Sequence, residues 1–195
     1  MDRKVLEDAL NHKYDNNIGN MTDDERDKIL KAASEKLQDG ERDFAAAIEE
    51  MCELSQLLTK IIRGRSTSED LELELMEEIA DVRITLEILH YRFRFKKSEL
   101  IVSAQNMYSI IIYDRQCAPN DTIFNALTEL SKLIYLFSAF RSSCTNYLVK
   151  EYFVRVYAEI YGLISKFNIN EKKLRYIEDI KLERIRDRLK NGENL

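Results

Sequence analysis

The segment from Glu69 to Phe95 is apolar on two sides of a helix, and a chain that contains such a segment has few ways to fold. At roughly 100° per residue, Leu71, Leu75, Ile79, Val82, Leu86, Leu89 and Phe93 form one stripe. Leu73, Ala80, Ile84 and Tyr91 form a second, roughly on the other side. A helix with two apolar sides packs on both, which places it inside a helical assembly rather than on its rim. Glu74, Glu78, Asp81 and Thr85 run between the stripes. That line is expected to face an interior groove rather than open water.

The remaining sequence favours the same kind of structure. Five glycines and one proline in 195 residues leave few turn formers, while Leu, Glu, Lys and Ala favour helix. No alternating strand pattern competes anywhere. Helices are expected over about Asp24–Leu37, Glu41–Arg63, Glu69–Phe95, Ser98–Tyr113, Thr122–Phe140, Tyr147–Phe167 and Glu171–Lys190. The breaks are QDG, RGRSTS and RQCAPND with its lone Pro119; Thr22 or Asp23 is expected to cap the first helix, and Ser66 or Ser68 the third. The fold class is all-α. Residues 1–23 read as a polar N-terminal segment, 24–115 as a first helical unit and 116–195 as a second.

A charged fraction of 33% against 45% hydrophobic residues is a soluble, globular balance. The net charge of −5, with both signs spread along the chain, argues against nucleic acid or an anionic membrane as the main partner. No run approaches the roughly 20 apolar residues of a membrane span, and MDRKVLEDALNHKYD has no signal-peptide core. Cys52, Cys117 and Cys144 are odd in number and far apart, which fits reduced cytoplasmic thiols and not a zinc or redox pair.

The informative stretch is AIEEMCEL, Ala47 to Leu54, which puts three glutamates beside apolar residues. Glu50 sits on the shoulder of its helix's apolar face, flanked by Leu54, Leu57 and Ile61; Glu53 lies one step further round and Glu49 further still. Residues three apart on a helix are neighbours, with Cβ atoms roughly 5–6 Å apart. Glu50 and Glu53 make one such pair, and Glu78 and Asp81 make another on the next helix. A short loop makes those helices antiparallel neighbours, so the pairs are able to converge. Four carboxylates in a partly buried groove repel one another and lose hydration, and each pKa rises. A hard divalent cation removes the conflict. Magnesium, with manganese as the alternative, suits carboxylate oxygens and keeps places for water and phosphate. The other reading of the same acids is a solvated helix face.

EEMCE (Glu49 to Glu53) followed by EIAD (Glu78 to Asp81) resembles the Glu-Glu-x-x-Glu … Glu-x-x-Asp signature of the MazG-like, all-α nucleoside triphosphate pyrophosphohydrolases, a superfamily shared with the dimeric dUTPases. ILKAASEK, the loop RGR, IADVRITLEIL and the tail KLERIRDRLKNG (Lys181 to Gly192) also have the family's look, so the similarity covers most of the chain. The resemblance implies a four-helix unit that binds magnesium through Glu50, Glu53, Glu78 and Asp81. It also implies hydrolysis of a nucleoside triphosphate to the monophosphate and pyrophosphate. Catalytic roles fall to Glu53 and to Glu49, which would order or deprotonate the attacking water. Lys60, Arg63 and Arg65 lie just past the first motif, where they would hold phosphate oxygens or stand as solvated helix-end cations.

The chain also reads as carrying its own partner. AIEEMCELSQLLTKII aligns with NALTELSKLIYLFS, and EEIADVRITLEILHYRF aligns without gaps on EYFVRVYAEIYGLISKF. Core positions agree while acids do not: Glu50 becomes Ala126, Glu78 becomes Tyr152 and Asp81 becomes Arg155, and only Glu53 keeps a carboxylate, as Glu129. This predicts an intrachain pseudo-dimer with one catalytic and one degenerate half, able to associate further. Arg155 is then a candidate substrate contact or an ion-pair partner for Glu129 or Glu159. Tyr135, Phe137, Phe140, Tyr147, Tyr152, Tyr157 and Tyr161 are candidates to stack on a base or to fill the core. Two other functions stay open: a non-catalytic nucleotide- or metal-binding module, and a helical partner-binding protein.

Overall fold

The computed structural model describes residues 21–36, 40–64, 68–114, 121–139 and 146–192. Regular structure among them is helical throughout: α1 (Asp23–Lys36), α2 (Gly40–Ile62), α3 (Ser68–Phe93), α4 (Lys97–Asp114), α5 (Asp121–Ala139), α6 (Asn146–Lys166) and α7 (Glu171–Asn191). No helix among these residues is long and apolar enough to cross a membrane.

The helix ends follow local chemistry. Thr22 and Glu25 form a reciprocal cap on α1: the Thr22 N–H donates to the Glu25 carboxylate at 2.9 Å, and the Glu25 N–H donates to Thr22 Oγ1 at 3.3 Å. The Asn170 side chain accepts from the amides of Lys172 and Lys173 at the start of α7. At the other end of α7, Gly192 closes the helix at φ 72°. The sequence pattern carries α3 to Phe95, but the helix stops at Phe93. Arg94 turns into the left-handed region at φ 55°, and the Phe95 N–H reaches back to the His90 carbonyl at 3.0 Å. The corner after α6 is built alike. Asn168 has φ 51°, and the Ile169 N–H donates to the Ile164 carbonyl at 2.9 Å. The register that pairs Asp81 with Arg155 also pairs Arg94 with Asn168 and His90 with Ile164.

Helix α2 packs on α3 and on α5, and α5 packs on α6. Helix α4 leaves the α2–α3 hairpin and lies on α6, while α7 leaves the α5–α6 hairpin and lies on α3. Helix α1 sits against α3 and α7. One apolar cluster runs through both hairpins, with Leu54, Leu58, Leu75, Ile79, Leu89, Leu133, Phe153 and Leu163 fully buried. Phe44, Phe93, Phe137 and Phe153, one from each of α2, α3, α5 and α6, meet at ring separations of 5.1 to 6.2 Å.

The two-sided reading of α3 holds in its main part. Its first stripe lies in that central cluster, while Ile84 and Ile88 lie under α1 and α7 with Leu30, Ala33 and Leu182, and Tyr91 packs at their edge. Ala80 and Leu73, assigned to the second stripe, instead join the central cluster. Helix α1 is fastened by an arginine that is 1% exposed: Arg26 Nη2 donates to Glu178 at 2.7 Å, and Nη1 to Asp179. Arg83 of α3 also reaches Glu178, at 3.1 Å.

Candidate metal centre

The α2–α3 hairpin brings the two acid pairs together. Glu50, Glu78 and Asp81 each offer a carboxylate oxygen, and the three oxygens lie within 4.8 Å of one another. All three residues are half-buried. Their positions follow from the helix pattern: Met51, Leu54 and Leu58 on α2 and Leu75, Ile79 and Val82 on α3 are drawn into the core, which pulls the flanking acids to the edge of the apolar seam. Glu53 stands on the exposed rim of the cluster, and its charge is felt by both Glu50 and Glu78.

The electrostatics match a crowded, poorly hydrated set of acids. Burial is the main cause that pushes Glu50 up to about 7, followed by the charges of Asp81 and Glu53. Burial again leads for Glu78, which also rises to about 7, with Glu53 and Asp81 adding to it. Glu78 Oε2 is buried and accepts no hydrogen bond, the kind of orphaned oxygen that a buried site normally satisfies. Asp81 is held differently. Its carbonyl accepts from Thr85 Oγ1 at 2.8 Å, and its Oδ2 is ion-paired with Lys181 Nζ, a cation delivered by α7. The Lys181 charge opposes the rise at both Glu50 and Glu78.

The other candidates lie further off. Glu49 is exposed on the polar side of α2. Lys60 and Arg63 are exposed at the end of α2, with Lys60 roughly 10 Å along the axis from Glu53. Arg65 and Phe140 fall outside the described residues. Arg155 is held by Glu151 on its own helix at 2.7 Å, with the Glu129 charge nearby, so its partners belong to the second hairpin. The ion pair with Glu151 was not expected from the sequence, whereas the influence of Glu129 was. Phe137 is buried core. Tyr135 and Tyr152 line an open groove of about 570 Å³ on α5 and α6, together with Phe124, Leu127 and Leu148.

Lys181 is the residue that sequence reasoning quoted but gave no role. Its signal was present. Leu174, Ile177 and Lys181 share one face of α7 at i, i+3 and i+7, and the first two are fully buried. A lysine on a buried stripe calls for a carboxylate partner.

No family model, no curated protein and no solved structure matches this chain.

Proposed function

We propose that the chain is a cytoplasmic, magnesium-dependent nucleoside triphosphate pyrophosphohydrolase built from MazG-like helical units. The observation that carries this reading is the meeting of Glu50, Glu78 and Asp81 within 4.8 Å, with a buried Glu78 oxygen left unsatisfied. These are three of the four positions at which the resemblance to the family puts metal ligands, and the fourth, Glu53, stands at their rim. The donor set fits a hard cation, because it is all carboxylate and raised pKa values mark acids that lack a compensating charge. Bound there, magnesium supplies charge neutralisation at a phosphate and acidifies water.

The chain's own groups do the rest. Glu50, Glu78 and Asp81 fix the position of the cation from two packed helices. Glu53, exposed beside them, is the group best placed to hold a proton from the attacking water, ahead of the more distant Glu49. Lys60 and Arg63 are free to swing over a polyphosphate that extends along the end of α2.

A duplicated architecture is part of the proposal. Two hairpins, two corners of matching hydrogen bonds and two following helices that each cross to the other hairpin support an intrachain pseudo-dimer. On this reading the second hairpin has lost its metal: Ala126 is buried, Tyr152 lines the apolar groove and Arg155 is paired with Glu151.

Incubation with each common ribo- and deoxynucleoside triphosphate, followed by a pyrophosphate assay with and without magnesium, tests the activity. Magnesium-dependent pyrophosphate release that disappears in Glu53→Gln supports it. Binding of nucleotide, seen as a rise in Tm, without turnover of any substrate replaces it with a non-catalytic nucleotide-binding module.

A further inference from the structure

We propose that Lys181 is the exchangeable counter-ion of the acid cluster: its ammonium holds the carboxylates together when no divalent cation is bound, and it gives way when one binds. This rests on the metal-binding reading above and adds a role for a residue on a third helix.

Three observations carry it. First, Lys181 Nζ is ion-paired with Asp81 Oδ2, and Asp81 offers an oxygen within 4.8 Å of oxygens of Glu50 and Glu78, so one ammonium stands at a cluster of three carboxylates. Secondly, it does not satisfy them. Glu78 Oε2 keeps no hydrogen bond, so one buried oxygen of the set still lacks a partner. Thirdly, the second hairpin shows what happens without the acids. In the register that pairs Asp81 with Arg155, Lys181 of α7 pairs with Met107 of α4, a residue that packs against the apolar core. Leu100 and Leu174, equally buried, fix this register along the two helices. The three clustered acids and the ammonium are therefore present together on one side of the molecule, while their counterparts on the other are Ala126, Tyr152, Arg155 and Met107. A lysine kept only to solubilise α7 has no reason to follow that rule.

The chemistry of the side chain suits exchange. An ammonium is a compact charge on an unbranched, four-carbon stem. Lys181 is 15% exposed, so it has a way out toward solvent that does not disturb the buried face of α7. Arg26, 1% exposed and tied to Glu178 and Asp179, holds α7 in place from behind. The helix can thus stay docked while one side chain moves.

The test is manganese binding to the full chain, followed by electron paramagnetic resonance at mildly alkaline pH, where carboxylates are ionised and lysine is still charged. Wild type, Lys181→Met, Lys181→Gln and Glu78→Gln are compared, with metal-free and metal-saturated Tm measured for each. The expected result is manganese affinity roughly tenfold higher in both Lys181 variants, because a cation paired directly with a ligand no longer competes. Their metal-free Tm should fall below wild type, and saturating manganese should close the gap. Lys181→Gln keeps a hydrogen-bonding head, so agreement between the two variants separates charge from packing. Unchanged or weaker binding in the Lys181 variants, with Glu78→Gln still abolishing binding, overturns the counter-ion role and leaves the metal site standing. Absence of binding in wild type and all variants overturns both.

Discussion

Helix α3 has Glu78 and Asp81 where α6 has Tyr152 and Arg155, and α2 has Glu50 where α5 has Ala126. Both helix pairs pack into the same core, and both end in a corner with a left-handed residue and the same reach-back hydrogen bond. The first hairpin nevertheless has its acid cluster half-buried, short of positive charge and with one oxygen unsatisfied. The second hairpin fills the same positions differently. Arg155 finds Glu151 at 2.7 Å, Glu129 finds Lys132 at 2.7 Å through one oxygen while its Oε2 stays buried without a hydrogen bond, and Ala126 is simply packed, so what the second hairpin lacks is the cluster of acids. The comparison teaches that the scaffold does not need the acids. Their presence in one hairpin costs stability there, and such a cost is characteristic of a site rather than of a frame.

Four experiments would break or sharpen that contrast. The largest effect belongs to α1, which packs on the first hairpin and α7 and interrupts any symmetry between the halves. Arg26→Met leaves Glu178 and Asp179 buried without their main cation, and should cost about 3–5 kcal/mol. Thermal unfolding should show a Tm lower by roughly 10 °C; a change under about 2 °C would mean that the clasp is dispensable. Next, Glu78→Gln makes the first hairpin more like the second. Turnover and manganese binding should fall roughly a hundredfold or more, while the metal-free Tm stays level or rises. A large loss of metal-free stability would instead make Glu78 a structural residue.

The third experiment uses pH. Glu50 and Glu78 titrate near 7 in the fold against 4.5 for the free side chain. The folded chain therefore binds more protons than the unfolded chain between those values, and stability falls as pH rises from about 4.5 to about 7, then levels off. The loss should be on the order of 1–3 kcal/mol in all, reduced from the full shifts because these groups are only half-buried. Magnesium should flatten the profile, and Glu50→Gln with Glu78→Gln should abolish it. A flat metal-free profile in wild type counts against the crowded cluster. The smallest effect tests the paired corners. Arg94→Gly should gain about 0.5–1 kcal/mol in chemical denaturation, because arginine is strained at φ 55°. Asn168→Gly, where asparagine already tolerates the left-handed region, should stay within about 0.5 kcal/mol. Equal responses would deny that the corners differ only in their side chains.

Much of this frame was legible in the sequence because it is periodic. The stripes on α3 and the cap at Thr22 depend on residues a few positions apart, and the observed helices fall within one or two residues of the expected ends, while most of the breaks QDG and RQCAPND lies outside the described residues. The acid cluster was legible for the same reason, since each half of it is an i, i+3 pair joined by a short loop. Contacts between distant segments were not legible. Nothing local says that Arg26 meets Glu178 and Asp179, or that α4 and α7 cross to opposite hairpins. Arg94 was missed because its side chain favours helix, while the corner is set by the apolar residue after it, Phe95, packing back on the core.

The tie between Lys181 and Asp81 spans 100 residues, and that of Arg26 to Asp179 spans 153. A growing chain therefore completes the carboxylates long before it makes the ammonium that faces them, and it makes α1 before the helix that α1 clasps. During that interval α3 has one apolar flank without its α7 cover and a set of acids without their counter-charge. Non-local contacts of this span form late and slowly. The acid cluster and the flank of α3 therefore gain their partners only when the last helix docks.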